Sequence, residues 1–185
     1  RLLRVDLKVF SCILSPMFSL KLARLPMAGL VLVSLLVLPR ALSGSPVTLS
    51  AGRVGLGWLG SADVGVRLGV VESLLLLLVS GIGLVVAAYS ARNLIGQEGL
   101  VRYAVLETAT VAALALAVTA SSLLVIAAGW TVATVTLSSL VAHAGTARSR
   151  RSARQIRFRL LVGDALLWGA VVVVGAGVGT LDRAG

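Results

Sequence analysis

Five long apolar stretches constrain this chain more than any other feature: Leu25 to Leu42, Val70 to Ser90, Val101 to Thr119, Ser121 to Ala142 and Leu160 to Leu181. Each runs 18 to 22 residues, within the roughly 17 to 25 that carry an α-helix across the hydrocarbon of a bilayer. Of the 185 residues, 58% are hydrophobic and 13% are charged. Soluble domains carry about a quarter charged residues, so a water-soluble fold would lack the polar surface to cover its core. Disorder needs the opposite balance, and no three- or seven-residue period supports collagen or a coiled coil. The expected fold class is all-α: a polytopic transmembrane helix bundle of five spans.

The chain has 17 Lys and Arg against 7 Asp and Glu, a net charge of +10. In a soluble domain that excess would point to nucleic acid. Here the basic residues sit between the apolar blocks, and six of them, Arg148, Arg150, Arg151, Arg154, Arg157 and Arg159, crowd between the fourth and fifth. Retention of basic loops in the cytoplasm accounts for that placement, so the bilayer is the expected partner and nucleic acid is not. With the amino terminus inside, thirteen basic residues fall inside and four, Arg40, Arg53, Arg67 and Arg183, fall outside.

Residues 1–24 form a basic amino-terminal segment, and residues 25–185 form the transmembrane domain. Val9 to Leu20 is apolar but too short to span unaided; if it recruits its flanks and spans, Arg1 and Arg4 move outside and nothing downstream changes. The basic leader, apolar run and Ala41-Leu42-Ser43 also have the pattern of a signal peptide. Four further spans favour an uncleaved first helix. The outside segment Ser43 to Gly69 alternates apolar residues around glycines, which predicts a short hairpin. Between the third and fourth spans only Ala120 remains, so those two helices should form a tight antiparallel pair.

Chemistry-bearing patterns are few. Gly55-Leu56-Gly57-Trp58-Leu59-Gly60 has the spacing of a dinucleotide fingerprint, but that motif needs a preceding strand and an amphipathic helix after it. A turn-rich hairpin is the better reading. Cys12 is the lone cysteine, so neither an internal disulfide nor a metal-ligand set is expected. No Ser/His/Asp order, Cys/His cluster or phosphate loop is present, which predicts no catalytic site and no cofactor in this chain. Gly175 and Gly179 have the spacing of a close helix contact. His143, at the inner end of the fourth span, reads as interfacial rather than as a ligand or relay.

Ionisable groups within the spans carry more information, because a charge in hydrocarbon is costly unless it faces a cavity or a partner. Glu72 lies at the outer end of the second span, Glu107 about one turn inside the third, and Asp164 a turn inside the fifth. For Glu72 and Asp164, interfacial solvation is an equal reading; Glu107 is the best candidate for a buried group that binds and releases a proton. In the fourth span Gly129-Trp130 is followed by Thr131, Thr134 and Ser138, whose spacing puts three hydroxyls along one helix face. Such hydroxyls commonly bond to their own backbone or a neighbouring helix; a water-lined path is the alternative. The proton-path candidates are therefore Glu107, Asp164, Thr131, Thr134 and Ser138.

Several short motifs in order resemble the start of the antiporter-like membrane subunits of respiratory complex I, the NADH-quinone oxidoreductase subunit L family. They are Gly81-Ile82-Gly83 with Tyr89-Ser90, Gly96-Gln97-Glu98-Gly99 with Arg102-Tyr103, Ser121-Ser122-Leu123-Leu124, Gly129-Trp130, a basic stretch, and Val162-Gly163-Asp164. The resemblance implies a proton-translocating subunit of a complex in the bacterial inner membrane, of which this chain would be the amino-terminal portion. In the respiratory subunits the Gly-Trp pair precedes a glutamate central to proton transfer; here that position is Thr131. Gly-Trp without the glutamate is more similar to the membrane subunit of the DAB inorganic-carbon transporter. That likeness implies a zinc-binding, carbonic-anhydrase-like partner that would hold any metal itself. A respiratory subunit and a purely structural membrane scaffold are the competing expectations.

Overall fold

The computed structural model describes residues 24–93, 99–143, 145–178 and 180–182. The fold is mostly helical, with helices α1 (Arg24–Leu42), α2 (Val70–Asn93), α3 (Leu100–Thr119), α4 (Leu123–Ala142) and α5 (Ala147–Val178). All five are long and apolar enough to cross a membrane. The basic segment 1–23, with Val9 to Leu20 and Cys12, lies outside the described residues, as do 94–98, which hold most of the Gly96 to Gly99 motif, and Gly179.

Packing follows the rule for helices in lipid, where small residues let backbones approach and bulky apolar ones face outward. Ala87, Ala104, Ala113, Ala115, Ala117, Ala127 and Ala133 are buried, whereas Leu36, Leu166 and Val173 are more than 70% exposed. Met27 of α1 meets Ala87 of α2 and Val111 of α3 in one apolar cluster. Leu68, Leu76 and Ala115 form a second, against which Val37 packs. A third joins Ala62, Ala127, Val171 and Leu181, also at the hairpin end of the bundle. Buried hydroxyls are absorbed locally: Ser34 donates to the Leu30 carbonyl at 2.7 Å and Ser80 to that of Leu76 at 2.6 Å.

The expected hairpin is present. Strand β1 (Val47–Gly55) pairs antiparallel with β2 (Ser61–Leu68), from Val47 opposite Leu68 to Gly55 opposite Ser61. The glycine-rich motif is its turn: a 3₁₀ turn over Gly57–Leu59, with Gly57 at φ 64° and Gly60 at φ 84°, closes the loop. Those left-handed angles are why glycines stand there, and β2 follows in place of the helix that a phosphate site needs.

Three boundaries differ from the sequence expectation. The arginine run read as a loop from Ala144 to Arg159 is helical from Ala147, so α5 has 32 residues. Arginine is a good helix former, and Thr146 caps the helix: its hydroxyl accepts the Ser149 N–H at 3.0 Å. Second, α4 begins at Leu123 rather than Ser121, because Ala120 and Ser122 are extended and bridge to Val66 and Asp182. Third, α5 stops at Val178, and Thr180 to Asp182 run beside the hairpin instead of completing the span.

These last two segments tie one end of the bundle together. The Ser121 N–H donates to the Gly65 carbonyl at 3.0 Å, Leu181 to Ser61 at 3.0 Å, and Leu123 to Leu181 at 2.9 Å. Asp182 accepts the Asp63 N–H at 2.6 Å and sits 3.7 Å from the Arg53 guanidinium.

Candidate functional site

Helix α4 lies between α3 and α5, and each neighbour brings a carboxyl group to it. On the α5 side, Asp164 is 6% exposed. Its Oδ2 accepts the Thr134 hydroxyl at 3.0 Å, and its Oδ1 has no hydrogen-bond partner among the described residues. One turn along α5, the Trp168 Nε1–H donates to the Thr131 hydroxyl at 3.0 Å, and Thr131 donates to the Ala127 carbonyl at 2.9 Å. Asp164 and Trp168 are four residues apart and Thr131 and Thr134 three, so the two helices match turn for turn. This places Asp164 opposite Thr134, near the middle of α4.

On the α3 side, Glu107 is 3% exposed, and neither carboxyl oxygen has a partner among the described residues. Arg24 lies within electrostatic reach, but its guanidinium donates to the Ala88 and Ala87 carbonyls at 3.4 and 3.5 Å. Thr110, three residues on from Glu107, donates to Thr136 of α4 at 2.9 Å. A largely apolar cleft of about 250 Å³ lies here, lined by residues that include Ile82, Gly83, Glu107, Thr110 and Leu137.

Thr134 and Thr136, two residues apart, point to nearly opposite sides of a helix with 3.6 residues per turn. Helix α4 therefore offers hydroxyls toward both carboxyl-bearing neighbours. The predicted stripe is only partly engaged across helices: Thr131 and Thr134 face α5, while Ser138, though buried, donates to the Val135 carbonyl of its own helix at 2.9 Å.

Gly129 and Trp130 have separate roles. A methyl group on Gly129 would come within 3.0 Å of the Ala113 carbonyl oxygen and 3.1 Å of the Ala117 nitrogen, so this glycine sets the α3–α4 approach. Trp130 is 40% exposed on the outer surface of the helix.

Two polar contacts were not anticipated from the sequence. Ser90 and Tyr103 share a hydrogen bond of 2.8 Å between α2 and α3, and the Tyr103 ring stands edge-on to His143, with centroids 5.6 Å apart. Neither pair has a sequence spacing that would announce it, since each joins different helices. Among the described residues no cluster of three or more His, Cys, Asp or Glu could hold a metal.

The chain matches no family model and no curated protein. Its buried chemistry-bearing groups include the Glu107 and Asp164 carboxyls and the threonine hydroxyls where α3, α4 and α5 meet.

Proposed function

We propose that this chain is a proton-translocating subunit of a membrane complex, similar to the subunit L-like antiporter family, and that it couples proton flux to inorganic-carbon uptake. The observation that carries the reading is the placement of Glu107 and Asp164: both buried, both with an unpartnered oxygen among the described residues, on the two helices that flank α4. A carboxyl group can bind and release a proton, and a hydroxyl both donates and accepts a hydrogen bond. Hydroxyls of this kind stand at both interfaces of α4: Thr110 bonds Thr136 where α3 meets α4, and Thr134 bonds Asp164 where α4 meets α5.

Thr131 supports the carbon-uptake branch. Its hydroxyl is held by the Ala127 carbonyl and the Trp168 indole, so it fastens α4 to α5; by the resemblance, this is the position that holds a titrating glutamate in the respiratory subunits. A zinc-binding, carbonic-anhydrase-like protein is the corresponding partner. The placement of the arginine end of the bundle in the cytoplasm, at the bacterial inner membrane, belongs to the same reading and rests on the distribution of basic residues.

The test is proton flux in vesicles reconstituted with the complex purified from its native membrane together with its companion subunits, followed with an internal pH dye. Glu107→Gln and Asp164→Asn should each slow flux by roughly tenfold or more, as expected when a proton-transfer group is lost. Thr131→Val should cost only about as much as one neutral hydrogen bond. Normal flux in both carboxyl variants would sink the proposal, and NADH-driven pumping gained by Thr131→Glu would move the chain to the respiratory branch.

A further inference from the structure

Helix α5 is longer than a bilayer requires. Its 32 residues extend about 48 Å at 1.5 Å per residue, against about 30 Å of hydrocarbon. The apolar stretch begins at Leu160, so the surplus is the turns that carry the six arginines. All six are exposed, and none has an ion-pair partner among the described residues. Ala153, by contrast, is buried, and Ile156 and Leu160 are partly covered, so one stripe of this segment faces protein and the remainder faces out.

The outward face is ordered along the helix axis. Arg154, Arg157, Phe158 and Leu161 follow the i, i+3, i+4, i+7 spacing of a single helical face, and Phe158 and Leu161 are 69% and 52% exposed. Measured from Leu160, Arg157 stands about 4.5 Å and Arg154 about 9 Å further out. The headgroup layer on each side of a bilayer is about 5 to 8 Å thick, and an arginine stem can bend to reach it. Arg148 and Arg151, roughly 18 and 13.5 Å out, stand above that layer. From outside inward, the face thus offers two guanidinium groups, an aromatic ring at the interface and then aliphatic surface.

We propose that this face is a binding site for an anionic glycerophospholipid: Arg154 and Arg157 hold the headgroup phosphate, and the acyl chains lie along Phe158 and Leu161. The guanidinium fork matches phosphate oxygens in pairs, and the sequence of charged, aromatic and aliphatic groups along the helix repeats the polarity profile of the lipid itself. A free anion would satisfy the arginines but leave Phe158 and Leu161 without a partner. The assignment does not depend on proton translocation, only on α5 crossing the membrane.

Native mass spectrometry of the purified chain, titrated with phosphatidylglycerol or phosphatidylcholine, tests it. Wild type should retain phosphatidylglycerol in preference to phosphatidylcholine. The double variant Arg154→Gln/Arg157→Gln should bind phosphatidylglycerol roughly tenfold or more weakly, the loss expected for charge-assisted hydrogen bonds. Arg148→Gln/Arg151→Gln, which removes the same charge above the headgroups, should bind as wild type does. Arg154→Lys/Arg157→Lys, which keeps the charge without the fork, should fall between. Equal weakening in the two Gln double variants, equal retention of both lipids, or displacement of phosphatidylglycerol by millimolar inorganic phosphate would overturn the proposal.

Discussion

The Thr134 hydroxyl donates to Asp164 Oδ2 at 3.0 Å, and both side chains are buried where α4 meets α5. Thr134 also reaches the Thr131 carbonyl at 2.9 Å, so one threonine joins the backbone of its own helix to the acid of the next.

That contact should be measurable as stability. Thr134→Val removes the hydroxyl with little change of shape and leaves both Asp164 oxygens without a partner among the described residues, a loss of about 1 to 3 kcal/mol for a buried polar group. Thr134→Ser should restore most of it. Denaturation followed by helical circular dichroism in mixed micelles checks both, and a Val variant as stable as wild type would contradict the bond.

Two glycines give a paired test of helix packing. Gly129→Ala places a methyl group 3.0 Å from the Ala113 carbonyl oxygen, whereas a methyl group on Gly163 meets nothing within 4 Å. Overpacking costs about 1 to 3 kcal/mol, so Gly129→Ala should lower the midpoint of unfolding. Gly163→Ala should leave it unchanged or raise it slightly, since alanine is the better helix former. The same two proteins melting together would place α3 and α4 further apart than described.

At the hairpin end, Asp182 has two partners of unequal value. Its contact with Arg53 spans 3.7 Å, and the arginine side chain is 74% exposed; such a pair contributes about 0 to 1 kcal/mol. Its bond to the Asp63 N–H is shorter and partly buried. Arg53→Ala should therefore be close to neutral, and Asp182→Ala should destabilise by about 1 to 2 kcal/mol. Asp182→Asn, which keeps an acceptor oxygen for the Asp63 N–H, should recover much of that loss, as read from thermal melting.

Membrane sidedness has its own experiment. On a Cys12→Ser background, single cysteines replace Leu49, 65% exposed in β1, and Ser152, exposed in α5. An impermeant thiol reagent added to intact cells should label the Leu49 position, and the Ser152 position only after the membrane is opened. Labelling of both from one side would rule out the arrangement with five crossings.

Much of this fold could be read directly from the order of residues, because hydrocarbon imposes a single strong length requirement on apolar stretches. The hairpin was legible too, since Val47 to Ser50 and Val64 to Leu68 alternate around turn glycines. Charge misled at the arginine run: six cations read as loop, yet arginine favours helix and Thr146 supplies a cap. Competition between backbone partners misled at Ser121 to Ser122 and Thr180 to Asp182, where β-bridges to residues distant in sequence displace helical bonds. Glu107 stood out as a carboxyl in an apolar stretch. Thr136, two positions from Thr134, fell off the predicted stripe because that stripe described only the side of α4 that meets α5.

The bond from the Asp63 N–H to Asp182 spans 119 residues of sequence, and it sets an order of assembly. Strand β2 emerges from the ribosome before α2, but its free edge gains the Thr180–Asp182 segment only after α5 has been made and threaded. At about 5 to 20 residues per second, that edge waits roughly 6 to 24 seconds for its last neighbour. The hairpin is thus an early-made clasp that closes last, and a ribosome stalled anywhere within α5 leaves it open.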